Sequence, residues 1–198
     1  MRSLAFVAVL ATSLAHAGEL EVEVGGAVYD ATDGKPLEIT TPKGERLRLT
    51  VRRKQLLHWN GEGVQFDYPR EMTPTVERSE GLVTITINST SSPLVMIQLF
   101  NLPTEPAALE AMMMKELKAN FVQRGATIRV ADKPVRRNVH GVDRSGKQLV
   151  VEIAKEKQVL EIFALRLGNR AVILNLQYNQ DDEALANKQF PAILRTFE

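Results

Sequence analysis

The chain has 198 residues, of which 25 are lysine or arginine and 24 are aspartate or glutamate. This balance argues against a dedicated nucleic-acid partner, although local charged patches are compatible with a neutral total. The sequence contains no cysteine, which excludes disulfide bonds, a thiolate nucleophile and a thiolate metal site.

Residues 1–17 have the three regions of a cleaved secretory signal. Arg2 supplies the positive charge, residues 4–14 form an apolar run too short to span a bilayer, and residues 15–17 supply the small side chains that a signal peptidase requires. Gly18 would then be the first mature residue. An uncleaved anchor is the alternative. We therefore expect a periplasmic or secreted bacterial protein, with no lipidation cysteine and no membrane span after cleavage.

Residues 18–61 have the pattern of a β-hairpin-rich N-terminal extension. Glu19–Val24 alternates strictly between charged and apolar residues, which is typical of a strand. Asp33 and Gly34 form a turn signal that predicts a hairpin between the segments on either side.

A strand predicted over residues 45–54 places Arg46, Arg48 and Arg52 on one face and its leucines on the other. The cationic face is a candidate stripe for anionic lipid headgroups or a polyanionic polymer. The alternative is a solvated outer face, because edge strands often carry Lys and Arg against aggregation. We expect at most a weak contact with an anionic surface.

The single tryptophan, Trp59, lies beside His58 and leads into a predicted strand at Val64–Pro69. In that strand Phe66 and Tyr68 point to one side and Asp67 to the other. We place a domain boundary here, after residue 61. The candidate surface for docking a partner is either the β-rich N-terminal extension or the surface near Trp59 and Tyr68.

A change to helical periodicity predicts a helix over residues 105–124, with Gly125 as its C-terminal stop. Its predicted buried stripe contains Leu109, Met112, Met113, Leu117 and Phe121. Met114 is predicted on the polar face, where it would suit a soft metal or an adaptable partner surface. The alternative is a partly exposed neighbour of the core.

The C-terminal half contains three predicted strands, at residues 147–154, 158–167 and 170–178. The middle strand is apolar on both faces and is our candidate for the centre of the sheet. Gly168 and Asn169 predict a tight hairpin between the second and third strands. A final helix over residues 181–197 is expected to kink or split at Pro191.

The sequence contains few of the residue patterns that are typical of catalytic sites. His58 and His140 are far apart in the chain, and there is no nucleophile elbow, metal-spaced histidine pair or glycine-rich phosphate loop. Arg136, Arg137, His140 and Arg144 could grip a carboxylate or phosphate, although the two adjacent arginines face opposite ways on a strand. A metal site from both histidines and a carboxylate is one alternative. We predict no catalytic residue, no metal ligand and no cofactor.

The order of elements resembles the PsbP-like fold family, which includes the extrinsic photosystem subunit P, a Ran-binding nuclear-import factor and many exported bacterial proteins. The resemblance covers residues 62–198. It rests on two strands, two helices, two glycines and two apolar segments. These are the strands at 66–69 and 82–87, the helices at 105–124 and 190–197, Gly141 and Gly146, and the apolar segments at 162–163 and 172–174. It implies an α+β domain with a central antiparallel sheet sandwiched by helices. It also implies a protein that binds or assists other proteins.

We therefore expect an exported, non-catalytic accessory protein of the bacterial envelope that docks on a protein partner. A periplasmic carrier of a small ligand or metal, with a cavity between sheet and helices, is the alternative. A carboxylate-dependent hydrolase ranks third. A concave site that joins His58 or His140 to acidic residues would favour it.

Overall fold

The computed structural model describes residues 7–8, 19–41, 43–90, 92–102, 104–131 and 133–198. The predicted signal segment, apart from residues 7–8, lies outside these described residues. The chain divides into two compact units, Met1–Lys54 and Gln55–Glu198.

The first unit contains two small antiparallel sheets. Its strands are β1 (Val7–Ala8), β2 (Glu19–Val24), β3 (Ala27–Thr32), β4 (Pro36–Thr40) and β5 (Arg46–Thr50). One sheet has the order β1-β2-β3 and the other pairs β4 with β5. Arg52, which we predicted on the same strand as Arg46, lies beyond the end of β5.

The turn at Asp33 and Gly34 joins β3 to β4 but does not pair them, so the hairpin predicted there is wrong. Each strand already has another partner, β2 for β3 and β5 for β4. The turn is instead held by residues that follow β5: the Gly34 N–H donates to the Val51 carbonyl at 2.8 Å, and Asp33 Oδ1 accepts from the Arg53 N–H at 2.8 Å. The described core of this unit contains Val22, Val24, Ala31 and Ile39.

Among the residues that the structure describes, the second unit contains ten strands and two α-helices. The strands are β6 (Leu56–Gly61), β7 (Val64–Pro69), β8 (Thr73–Ser79), β9 (Leu82–Asn88), β10 (Leu94–Phe100), β11 (Thr127–Val130), β12 (Val135–Val139), β13 (Val142–Ile153), β14 (Glu156–Leu167) and β15 (Arg170–Asn179). The helices are α1 (Pro106–Gln123) and α2 (Glu183–Thr196), the second preceded by a 3-10 turn at Gln180–Asp182.

The large sheet is antiparallel and has the order β11-β13-β14-β15-β10-β9-β8, with β12 paired to β13. β15 is therefore the middle strand of this path, and β14, our candidate for the centre, lies beside it. The two strands form the predicted hairpin, with Leu167 opposite Arg170 and Gly168 at a φ of 58°. The pair β6 and β7 forms a separate two-stranded ribbon. The domain boundary predicted after residue 61 falls in the turn of this ribbon.

β13 changes partner halfway along its length. Its first five residues pair with β12, and the rest pair with β14 from Lys147 onward. Gly146 stands at the change, where an added Cβ would lie 2.4 Å from the Ile162 carbonyl oxygen and 2.6 Å from a Phe163 ring carbon. Glycine is required because two backbones approach closely here.

The two helices pack in separate apolar clusters. α1 packs with Leu160 and Ile162 of β14, whereas α2 packs with Val159, Phe163 and Leu165 of the same strand. The clusters thus use alternate residues of β14. Pro191 lies within α2, which continues through it as one helix to Thr196, so the predicted split is wrong. Within the part of the chain that the structure describes, neither helix has the length and apolarity to cross a bilayer.

Candidate functional site

An open depression in the second unit gathers several ionisable side chains. It lies between the β6-β7 ribbon, the turn from β12 to β13 and the C-terminal end of α2, and its cavity volume is about 250 Å³. Its lining residues are polar: His58, Gln65, Asp67, His140, Arg195, Thr196 and Glu198. The depression therefore suits a polar or charged ligand group.

The β6-β7 ribbon positions the first histidine. His58 and Asp67 are directly opposite in the strand register, so their side chains lie on the same face of the ribbon. His58 Nδ1 lies 2.9 Å from Asp67 Oδ1. The carboxylate is an acceptor, so the hydrogen bond places the proton of a neutral imidazole on Nδ1, and Nε2 is then an acceptor.

The second histidine occupies the tight turn between β12 and β13. His140 has a φ of 48° and is followed by Gly141 at 74°, and its N–H donates to the Leu194 carbonyl of α2 at 2.9 Å. This bond holds the turn against the helix end. His140 Nδ1 lies 3.7 Å from Glu198 Oε2, which is an ion-pair distance when the imidazole is protonated.

The residues at the end of α2 are fixed along the edge of β7. Gln65 and Glu198 exchange backbone hydrogen bonds of 2.8 and 3.0 Å, and the Gln65 side-chain amide donates to the Glu198 carboxylate. Thr196 Oγ1 accepts from the Asp67 N–H at 2.7 Å and donates to the Ala192 carbonyl at 2.8 Å. The hydroxyl of Thr196 is therefore committed on both sides.

Arg195 differs from the other charged residues of the depression. Its side chain is exposed, and it makes no ion pair or hydrogen bond with any residue that the structure describes. The guanidinium thus has its donors available for a ligand.

A second polar cluster surrounds an acid that is buried inside the unit. Arg137 donates two hydrogen bonds of 2.8 Å to the carboxylate of Glu161, whose side chain is 1% exposed. Arg137 also donates to Asn187 Oδ1 at 2.8 Å, and the Tyr178 hydroxyl donates to Glu161 at 3.3 Å. We interpret this cluster as structural, since its acid is fully paired and covered.

The pKa shifts in this cluster agree with that interpretation. The hydrogen bond to Glu161 raises the pKa of Arg137 above its ordinary value, against the opposing effect of burial. Burial, followed by the nearby charge of Glu161, raises the pKa of Tyr178 to about 12. Both groups therefore keep their protons throughout the physiological range.

The sequence-predicted arginines belong to the first unit, whereas the residues that line the depression belong to the second. Arg46, Arg48 and Arg52 are all exposed. Arg46 lies opposite Thr40 of β4, whereas Arg48 lies opposite Glu38. The carboxylate of Glu38 is therefore next to the central arginine of the predicted cationic face. Their binding role stays a prediction.

Trp59 and Tyr68 are half-buried and pack on their own ribbon. Trp59 stacks on Phe66 with ring centroids 6.1 Å apart, and Tyr68 meets Phe66 edge-on at 6.3 Å. Trp59 Nε1 is buried without a hydrogen-bond partner among the described residues. These aromatic rings support the ribbon on the face opposite His58, because neighbouring strand residues alternate.

The face predicted for Met114 is wrong. Met114 is 9% exposed and packs in the core, whereas Met112, predicted in the buried stripe, is 46% exposed. Met114 precedes Leu117 and Phe121 by three and seven residues, which places it on their side of the helix. An exposed methionine surface at this position is thereby excluded.

The sequence did not reveal that His58 and His140 line one depression. The pairing of His58 with Asp67 could have been predicted from the sequence, because a two-residue turn after Gly61 sets Asp67 opposite His58. No local pattern connects His140 to Glu198, which meet only through the packing of α2. Among the residues described by the structure, no group of three or more His, Asp or Glu side chains has the geometry to hold a metal ion.

No protein-family model matches the sequence, and no curated protein matches it. Among solved structures, the chain is similar to cyanobacterial PsbP (CyanoP) from Synechocystis, with a TM-score of 0.50, 12% identity, and coverage of 73% of this chain and 92% of that one. It is also similar to LpqN, described as involved in cell envelope biogenesis of Mycobacterium tuberculosis, with a TM-score of 0.45, 11% identity, and coverage of 68% and 81%.

A protein from Bacteroides thetaiotaomicron matches with a TM-score of 0.43 and 15% identity over 68% of this chain, which spans only 44% of that protein. At these identities the likeness to solved structures concerns the fold alone. The match to cyanobacterial PsbP confirms the resemblance that we drew from the order of elements. The chain has an α+β fold of the PsbP-like kind, with a large antiparallel sheet and two helices.

Proposed function

We propose that this chain is an exported accessory protein of the bacterial envelope, which binds a protein partner over the depression and does not catalyse a reaction. The observation that carries the proposal is the composition of the depression. It exposes Arg195 and two histidine-carboxylate pairs for recognition, while its single hydroxyl, on Thr196, is already engaged in two hydrogen bonds. A nucleophile for covalent catalysis needs a hydroxyl that an adjacent base can activate.

We further propose that the second unit has the layered arrangement of the PsbP-like fold, in which helices cover both faces of the sheet. Support comes from the separate apolar clusters of α1 and α2, which use alternate residues of β14. Export is proposed from the signal-like residues 1–17. Mass measurement of the protein purified from its host tests this point, because a chain that retained Met1 would contradict cleavage.

Photo-crosslinking tests the docking proposal. A photoreactive amino acid is placed at His58, at His140, and at the exposed Lys115 of α1 as a matched control, and the protein is irradiated in cells of its own host. We expect a discrete protein adduct from positions 58 and 140 and none from position 115. No adduct, or equal adducts from all three positions, would contradict docking at the depression.

A small-ligand carrier is the competing binding function, and the unpaired guanidinium of Arg195 in an open depression favours it. Native mass spectrometry of the protein from its envelope fraction separates the two. A heteromeric mass supports the accessory protein, whereas a monomer that carries extra mass supports the carrier.

A hydrolase is the third candidate, and it is favoured by the two histidines that the depression joins to acidic residues. His58 held by Asp67 has the arrangement of a general base that could activate water. The side chain of His58 is 56% exposed, however, so the pair lacks the water-excluding enclosure in which electrostatic catalysis is strongest. Hydrolysis of ester, amide or glycoside substrates that is lost in His58→Gln would favour the enzyme.

A further inference from the structure

We propose that the depression binds a carboxylate group from an acidic peptide segment of the partner, and that protonation of His58 and His140 switches this binding on. The inference rests on the proposed function and specifies the ligand of that same site. It stands on one juxtaposition, an unpaired guanidinium beside two histidine-carboxylate pairs on the wall of one cavity.

Arg195 supplies the primary contact. A guanidinium presents planar N–H donors that match the two oxygens of a carboxylate with parallel hydrogen bonds. In Arg137 these donors are already occupied, because the guanidinium donates two hydrogen bonds to Glu161. In Arg195 they are not engaged by any described residue, so an incoming carboxylate displaces no internal partner.

The net charge of the depression depends on its two imidazoles. Arg195, Asp67 and Glu198 are the other ionisable residues that line it. With both histidines neutral, one cation faces two carboxylates and the sum is one negative charge. Protonation of both raises this side-chain sum by two charges, which removes the excess of negative charge. The depression therefore disfavours an anion while both imidazoles are neutral, and protonation of the imidazoles removes this repulsion.

The hydrogen-bonding role of the imidazole changes in the same direction. In neutral His58 the proton lies on Nδ1, toward Asp67, so Nε2 is an acceptor and opposes a carboxylate oxygen. Protonation converts Nε2 into a donor. For His140, the protonated ring forms an ion pair with the carboxylate of Glu198 at 3.7 Å. Each protonation therefore adds both a charge and a donor.

The same charge count distinguishes a carboxylate from a phosphate. A carboxylate brings one negative charge toward Asp67 and Glu198, whereas a phosphate monoester brings more than one, because its second pKa is about 6. An acidic side chain or peptide terminus therefore fits better than a phosphopeptide or a lipid phosphate.

The test uses acetyl-tetraglutamate amide as the probe, with the tetraglutamine peptide, succinate and inorganic phosphate as comparison ligands. Binding is measured by calorimetry and by the ring C–H signals of His58 and His140 in NMR spectra, assigned with His58→Gln and His140→Gln. We expect the acidic peptide to bind at about pH 5.5 and to lose about tenfold or more in affinity at about pH 8, because binding takes up protons.

Matched variants identify the residues responsible. Arg195→Gln should weaken binding about tenfold or more at the lower pH, as expected for loss of a charge-assisted hydrogen bond. Arg129→Gln, which removes another exposed arginine on β11, should leave it unchanged. The double variant His58→Gln and His140→Gln should remove the pH dependence. Asp67→Asn should instead increase affinity at about pH 8 by removing a negative charge.

The outcomes separate this inference from the proposed function. If crosslinking at position 58 captures a protein but peptide affinity is independent of pH or of Arg195, the inference is overturned and the docking proposal stands. If the peptide binds as expected but no protein is captured, docking fails and the carboxylate site stands. Equal affinity for succinate would overturn the peptide source, and tighter binding of phosphate would overturn the carboxylate assignment. Unchanged thermal unfolding of each variant confirms that it folds.

Discussion

At the scale of single residues, the buried acid Glu161 and the two acids of the depression, Asp67 and Glu198, differ in the partners that pair with their charges. Glu161 is buried and receives two hydrogen bonds from Arg137, so its charge serves the fold. Asp67 and Glu198 lie at the surface and face histidines whose charge varies with pH. This contrast is the reason for assigning ligand binding to the depression and a structural role to the buried cluster.

Replacement of Arg137 tests the structural role. Arg137→Met leaves the Glu161 carboxylate buried without its partner, and loss of one member of a buried ion pair costs about 3–5 kcal/mol in the free energy of unfolding. The matched control is Arg136→Met on the same strand, where the side chain is exposed and the expected change is within about 0.5 kcal/mol. Urea denaturation of both variants measures the difference. Equal midpoints would contradict the role of the pair.

At the scale of elements, α1 shows how far helical periodicity predicts packing. Its bounds, Pro106–Gln123, agree closely with the prediction, but the buried face is rotated so that Met114 replaces Met112. Three consecutive methionines are chemically equivalent in the sequence. Their spacing distinguishes them, because Met113 and Met114 lie four and three residues before Leu117, whereas Met112 lies five residues before it.

Truncation of each methionine tests this assignment. Met114→Ala removes a buried side chain and should destabilise the protein by about 2 kcal/mol, at the lower end of the range for Met to Ala in a core. Met112→Ala should change the free energy of unfolding by less than about 0.5 kcal/mol, because the side chain is largely in water. Denaturant unfolding at a single pH compares the two. A larger loss in the Met112 variant would restore the predicted face.

The first unit carries opposite charges on its two parts. Residues 19–33 contain five acidic residues and no basic one, whereas residues 34–54 contain seven basic residues and two acidic ones. The first segment forms β2 and β3, and the second forms β4 and β5. The cationic stripe is therefore part of an internally balanced unit, which accords with the expectation of no more than a weak contact with anionic surfaces.

At the scale of the whole molecule, the sequence predicted local structure better than long-range pairing. The strands around Gly168 followed from periodicity and turn chemistry, which are local properties, whereas the fold class was implied by the resemblance in the order of elements. Three features depended on residues distant in the chain: the partner change at Gly146, the pairing of Glu161 with Arg137, and the approach of Glu198 to His140. The candidate site likewise depends on residues that are distant in the chain, because it forms only when α2 packs along β7.

The division into two units predicts that residues 55–198 fold without the first unit. This segment contains both large apolar clusters, both helices, the eight-stranded sheet and every residue that lines the depression. The described core of the first unit is limited to four buried residues, and chains below about 40 residues rarely fold on so small a core without a disulfide or metal.

Thermal unfolding of residues 55–198 and of residues 18–54, prepared separately, tests this expectation. The longer segment should unfold cooperatively and bind the acidic peptide with the pH dependence of the intact protein, while the shorter one should lack a cooperative transition. A longer segment that failed to unfold cooperatively would show that its stability depends on the first unit. In that case the strands of the first unit, β1 to β5, would fold cooperatively with residues 55–198.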